Sequence, residues 1–311
     1  MKFIFPLLLS FLSVFPQQSS QPIYSNKSQE NNIVYFKKYE DSLVFLQKKL
    51  YNEKNDSISA KWNLKFIQLW EEVLSNQASF SYPFDSLIEI GRLYSPDNSF
   101  RIIHWNLEFE NGTHGYYGFI QSYNKKNKQF ELFKLNDFSD EIKYPETFIG
   151  NHNKWMGMLY YKIIPCNKYY LLLGLDLNDK LSRKKIIDVL SFKENGDPQF
   201  GKSVFKFPKK DPKRLQFEYS SDLVMTLKYL EEKQLIVFDH LAPREKFLEG
   251  QFQFYGPDFS YDGLQYQKGK WKYIEDLDVK NFKNKKDDLW VAPKDAVDKK
   301  NKKEKPIYKP K

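Results

Sequence analysis

From residue 101 onward short strand-like runs, the first with apolar residues at every second position, alternate with turn residues, and no other feature of the sequence limits the fold as strongly. In 101–110, Ile103, Trp105, Leu107 and Phe109 alternate with Ile102, His104, Asn106 and Glu108, the two-residue period of a half-buried strand. Asn111-Gly112 follows. This dipeptide signals a tight hairpin because both residues tolerate positive φ, so 114–123 reads as the return strand. Further strands are read at 130–135, 155–164, 169–177, 184–192, 203–207, 215–219, 224–229 and 235–239, with a last hairpin of 264–267 and 270–273 turning at Lys268-Gly269. Asn167-Lys168, Asn178-Asp179, Asn195-Gly196-Asp197-Pro198 and Glu231-Glu232-Lys233 supply the breaks. Connections this short join antiparallel neighbours, because a parallel pair needs a crossover of about a dozen residues or more.

The expected fold is therefore mainly β: an antiparallel meander forming a sandwich or an irregular barrel, either of which protects its edge strands. A degenerate β-propeller is the alternative, although no fixed-period repeat marks one. The supply of 27 Phe and 21 Tyr suits pleated, half-buried surfaces, and 13 Gly leave little room for low-complexity sequence. A short helical N-terminal region precedes the strands. Leu43, Leu46 and Leu50 share a face in 39–50, while Trp62, Phe66, Leu69, Trp70 and Val73 form a wide apolar stripe in 60–74. A third short helix is read after Pro83, with Leu87, Ile88 and Leu93 as its buried contacts.

At the amino end, Lys2 precedes an apolar run over 3–15, shorter than the roughly twenty residues of a membrane span. It reads as a secretory signal peptide, which predicts a periplasmic or secreted product. No later stretch is long enough to span a membrane. Cys166 is the only cysteine, which excludes an internal disulfide, a cysteine metal cluster and a lipid-modified cysteine after the leader. The net charge is +9, yet 282–311 holds eleven lysines against five acids, so most of the excess belongs to one solvated tail and a nucleic-acid partner is not expected. The expected organisation is a leader at 1–20, a polar linker at 21–32, a helical region at 33–95 packing on the sheet, a β domain at 96–281 and the lysine-rich tail.

Several phrases occur together: Ser95-Pro96-Asp97, Phe100-Arg101-Ile102-Ile103-His104-Trp105-Asn106, Tyr169-Tyr170-Leu171-Leu172-Leu173-Gly174-Leu175-Asp176, Lys185-Ile186-Ile187-Asp188-Val189-Leu190, Phe200-Gly201, Val237-Phe238-Asp239-His240-Leu241-Ala242-Pro243 and Tyr255-Gly256-Pro257-Asp258. The set resembles a family of uncharacterised exported proteins from Bacteroidetes-type bacteria over roughly 84–281, by the strand pattern. The resemblance implies export and no particular activity. Where such proteins often carry Gly-Trp-Asp-Gly, this chain has Gly174-Leu175-Asp176-Leu177.

Three groups of residues are candidates for chemistry. Asp239 and His240, with Asp258 and Asp262, bring carboxylates and an imidazole toward the end of the sheet, the parts of an acid–base or divalent-cation site. Asp and Gly are equally what turns require. His104 and His114 lie on strands joined by the Asn111-Gly112 turn, where a zinc pair would sit, without an evident third ligand. Tyr116, Tyr117, Phe119 and Tyr123, with Trp155, Tyr160 and Tyr161, would stack on a sugar or a peptide if they face solvent, and otherwise fill the core. No Gly-x-Ser-x-Gly elbow, Walker loop, dinucleotide fingerprint or His-Glu-x-x-His occurs. No cofactor is expected, and Cys166 reads as an inert thiol. The leading expectation is a non-catalytic binding or interaction module of the cell envelope with a glycan, peptide or envelope partner; the alternative is an exported hydrolase built on the Asp/His cluster.

Overall fold

The structure, a computed structural model, describes residues 26–278, with side chains from residue 31. The expected leader and lysine-rich tail lie outside the described residues. Two helices, α1 (Asn26–Asn52) and α2 (Asp56–Ser75), open the chain. The first starts inside the stretch read as polar linker, because 26–38 holds neither Pro nor Gly and Phe36 continues the buried face of Leu43 and Leu50. Asn55 caps α2, its side chain accepting a hydrogen bond from the Ile58 N–H. No third helix follows Pro83. Two successive turns, Phe84–Leu87 and Leu87–Ile90, bury Leu87 and leave Ile88 exposed.

Sheet I takes the order β1 (Gly91–Tyr94), β2 (Phe100–Glu108), β3 (His114–Asn124), β4 (Gln129–Asn136). Sheet II holds β5 (Gly150–Asn151), β9 (Pro198–Phe200), β8 (Ser182–Phe192), β7 (Tyr169–Asp176) and β6 (Leu159–Cys166), and β11 (Leu215–Ser220) also pairs with β8. Sheet III runs β10 (Phe205–Lys206), β15 (Lys270–Ile274), β14 (Tyr255–Gln267), β13 (Leu235–Pro243), β12 (Leu227–Leu230). No sheet closes on itself, so the barrel expectation is not met. Among the described strands pairing is antiparallel except between β10 and β15, which are parallel, and the return of β11 to β8 breaks the meander. None of the described helices is long and apolar enough to cross a membrane.

The layers stack in a line: helices, sheet I, sheet II, sheet III. Phe66, Trp70, Ile103, Trp105 and Phe119 fill the first interface. Ile102, Tyr116, Trp155, Leu172 and Ile186 fill the second, and Leu171, Ile187, Phe238 and Leu264 the third. A line of layers is the sandwich principle repeated, not a propeller's ring. It also corrects the half-buried reading of β2, whose odd positions Ile103, Trp105 and Leu107 meet the helices while Phe100 and Ile102 meet sheet II. Strands covered on both faces read as nearly continuous apolar runs, as Leu171–Leu172–Leu173 does.

Polar groups inside the stack are tied down. Trp105 Nε1 donates to Asn63 Oδ1 at 2.9 Å, joining β2 to α2. The buried Arg101 guanidinium donates to Gln121, to the Tyr94 hydroxyl and to the carbonyls of Ser79 and Tyr82, between the rings of Phe80, Phe84 and Tyr94. At the Asn111-Gly112 turn only Gly112 has positive φ, 84°. Phe109 N donates to Thr113 O and Gly112 N to Phe109 O, the three-residue loop with a glycine bulge and not the two-residue turn expected. Lys268 and Gly269, at φ 48° and 80°, do form the two-residue turn with both centres left-handed.

Candidate functional site

The register of sheet III decides what the Asp/His cluster becomes. Asp239 pairs with Tyr261 and Leu241 with Pro257, so His240 alone stands opposite Asp258, Phe259 and Ser260. The extra residues of β14 form a bulge, the device by which a strand redirects a side chain. Asp258 closes it: its Oδ1 accepts from Ser260 N at 3.0 Å and Ser260 Oγ at 2.7 Å, and its Oδ2 lies 2.8 Å from His240 Nδ1. Burial alone would raise the Asp258 carboxyl, but the Ser260 hydrogen bonds and the His240 ring hold it below its usual range. Ser260 donates to the carboxylate and not to the imidazole, so the three residues lack the order of a nucleophile–base–orienter triad.

Asp239 and Asp262 do not join this pair. Strand alternation puts Asp262 on the face of Phe238 and Leu264, and Asp239 on the opposite face. Both are buried and occupied. Asp239 Oδ2 accepts from Thr226 N at 2.6 Å, and Asp262 accepts from the Tyr273 hydroxyl at 2.8 Å and from Asp276 N at 3.1 Å. The structure thus brings together His240 and Asp258 of the four residues read as a cluster.

The histidine pair is also separated. His104 stands opposite Gly118 and His114 opposite Glu108, four residues apart along β3, about 13 Å. His104 lies over Gly91, within the stack, with neither ring nitrogen in a hydrogen bond of normal geometry; burial pushes its imidazole down to about 4, offset in part by the Tyr160 backbone. His114 Nδ1 meets Asn106 Nδ2 at 3.0 Å. Among the described residues no group of three or more His, Cys, Asp or Glu side chains could hold a metal ion.

Most of the aromatic candidates are packed inside. Tyr116 donates to Asp176 at 2.8 Å and accepts from Leu177 N, and Trp155 Nε1 donates to Tyr160 at 2.9 Å, all between sheets I and II. Tyr117 stacks on Trp105 beneath the helices. Phe119 is buried in that same layer. Tyr161 keeps one exposed edge, its hydroxyl donating to Leu227 O and its ring under Lys185 Nζ at 4.5 Å. Tyr123 is partly exposed against Phe130.

Exposed apolar residues that the strand pattern did not mark lie on β14 and on the segments beside it. Phe259, at φ 71°, is 95% exposed, and a bulky side chain in the left-handed region is rare enough to need a reason. Leu223 lies over Gly256 so closely that a Cβ there would collide with it, and Val224 beside it is exposed. On the connection from β13 to β14, Phe247 is 79% exposed and Phe252 and Phe254 are partly so, held by Arg244 N donating to Phe254 O and Gly250 N donating to the Tyr255 hydroxyl. Scattered exposed apolar residues are ordinary; here several fall on β14, on the connection that leads into it and just before β12. The signal available in the sequence was the run Phe247, Phe252, Phe254 outside any periodic segment. Comparison of the chain with protein-family models, with curated proteins and with solved structures found no match.

Proposed function

We propose that this chain is an exported, non-catalytic interaction module of the cell envelope, and that it meets a protein partner through an apolar rim made of Phe259 and the exposed residues of the β13–β14 connection. The observation that carries the reading is Phe259, fully in solvent and held in a strained backbone by the His240–Asp258 clip. A strained, solvent-facing aromatic gives the isolated chain nothing, whereas aromatic anchors supply much of the energy of protein contacts. Export rests on Lys2 and the apolar run 3–15, and on the resemblance to exported proteins. The hydrolase alternative draws on the His240–Asp258 pair alone, since Asp239 and Asp262 are committed to backbone and tyrosine donors.

The test is the size of the protein in extracts of its own cells. The wild-type chain is expected to elute in a complex larger than the free chain, whose full 311 residues weigh 37.3 kDa before leader removal, and the Phe247→Ser/Phe259→Ser variant as the free chain with an unchanged melting temperature. Elution of both at the same size would overturn the proposal.

A further inference from the structure

A second surface, away from the bulge, has the make-up of a ligand site. Where β10 runs beside β15, a cleft of about 400 Å³ is lined by Lys206, Lys268, Lys270, Lys272, Phe207 and Tyr273, with Pro208 and Gln267 completing it and no carboxylate in its wall. Its size is within the range of small-ligand sites. The parallel register puts Lys206 directly opposite Lys272, and like charges facing each other across a strand pair are unfavourable. Two of the four ammonium groups are engaged at the margin: Lys206 with Asp211, and Lys270 with the Ser203 carbonyl at 2.6 Å. Lys268 and Lys272 are exposed and have no hydrogen-bond or ion-pair partner among the described residues. Two aromatic residues that also pack on the core complete the lining. Phe207 and Tyr273 stack with centroids 4.5 Å apart at 19°, and the Tyr273 hydroxyl is fixed by Asp262 on the far side.

We infer that this cleft binds an acidic polysaccharide, with uronate carboxylates on Lys268 and Lys272 and the apolar face of a sugar ring on the Phe207–Tyr273 pair. Lys270, though engaged with Ser203, lies about 7 Å from Lys272 along β15, so the positive charge runs along the cleft and not at a single point. Lysine offers a point charge in place of the bidentate fork of arginine, matching single carboxylates presented in varied orientations. A nucleic acid fits less well. Its bases need several successive aromatic faces, and the cleft holds a single stacked pair. The inference is independent of the reading of the bulge.

Titration calorimetry of the full chain with oligogalacturonate, dextran and inorganic polyphosphate tests it. Oligogalacturonate is expected to bind with an affinity that falls as salt rises, and dextran not to bind. Lys268→Gln/Lys272→Gln should weaken oligogalacturonate about tenfold or more. Phe207→Leu, which keeps the bulk and removes the ring, should weaken oligogalacturonate and leave polyphosphate unaffected. Melting temperatures of the variants confirm folding. Absence of oligogalacturonate binding, binding indifferent to the lysine pair, or polyphosphate binding as tight with no response to Phe207→Leu in either ligand would each overturn the inference.

Discussion

His240 Nδ1 lies 2.8 Å from Asp258 Oδ2 across the point where the β13–β14 ladder loses register, and Phe259 is the residue this contact turns into solvent. The clip costs the chain a left-handed phenylalanine, worth about 1–2 kcal/mol of strain. Phe259→Gly removes that strain but adds freedom to the unfolded chain, so stability is expected to rise by less than about 1 kcal/mol or stay level while the cellular complex is lost. Chemical denaturation and elution size read the two effects separately, and parallel loss of both would count against the rim.

Asp258→Asn is expected to cost under about 1 kcal/mol, because the pair is largely in water and screened. Since the folded carboxyl sits below its usual range, its contribution is present above the unfolded pKa and is lost as pH falls through the folded one. Proton exchange at the Phe259 amide should quicken in the variant, and an unchanged rate would show that the clip does not hold the bulge.

His104 gives the stack an acid limit. Its folded pKa of about 4 lies below the unfolded value of about 6.5, so between these values the unfolded chain takes up a proton that the folded chain refuses. Stability is then complete above about pH 6.5 and falls by about 3 kcal/mol by pH 4. His104→Phe should flatten that slope in urea midpoints measured across the range. A slope equal to wild type would show that other groups set it.

Asp188 and Arg214 form an ion pair at 2.9 Å with both side chains fully buried in sheet II. Arg214 Nη1 also donates to the Pro145 carbonyl, while Asp188 Oδ2 and Arg214 Nη2 make no hydrogen bond of normal geometry. Removing one partner leaves a buried charge, so Asp188→Ala is expected to lose about 3–5 kcal/mol in thermal or urea unfolding. Asp188→Leu/Arg214→Met should recover most of that loss. A double variant no better than the single would show that the pair also specifies the packing.

Cys166 is expected to be unreactive in the folded chain. Burial pushes its thiol up to about 11, against hydrogen bonds with Trp271 and Tyr169 that favour the thiolate. Iodoacetamide at neutral pH should label it much more slowly than in urea, and equal rates would refute the shielding.

The strand-rich body was legible because β2, β3 and β4 of sheet I and the long strands of sheets II and III each carry five or more patterned residues. β1, β5 and β9 were not, being two to four residues long with no period to detect. Burial on both faces was also hidden: alternation shows two faces, and only the stacking of helices on one and sheet II on the other shows that neither is wet. The return of β11 to β8 and the parallel β10–β15 contact join segments far apart in the chain, beyond any local signal. At the site, the concentration of Asp and His was visible. The separation of Asp239 from Asp262 follows from strand register, and the exposure of Phe259 from a bulge that inserts residues opposite His240.

The most direct test of the rim is a photo-crosslinking side chain placed at Phe259, and at Phe247, in the protein's own cells, with Phe45 on α1 at the other end of the stack as control. A discrete protein adduct is expected from 259 and 247 and none from 45. No adduct from either rim position, or one from 45 alone, would contradict it.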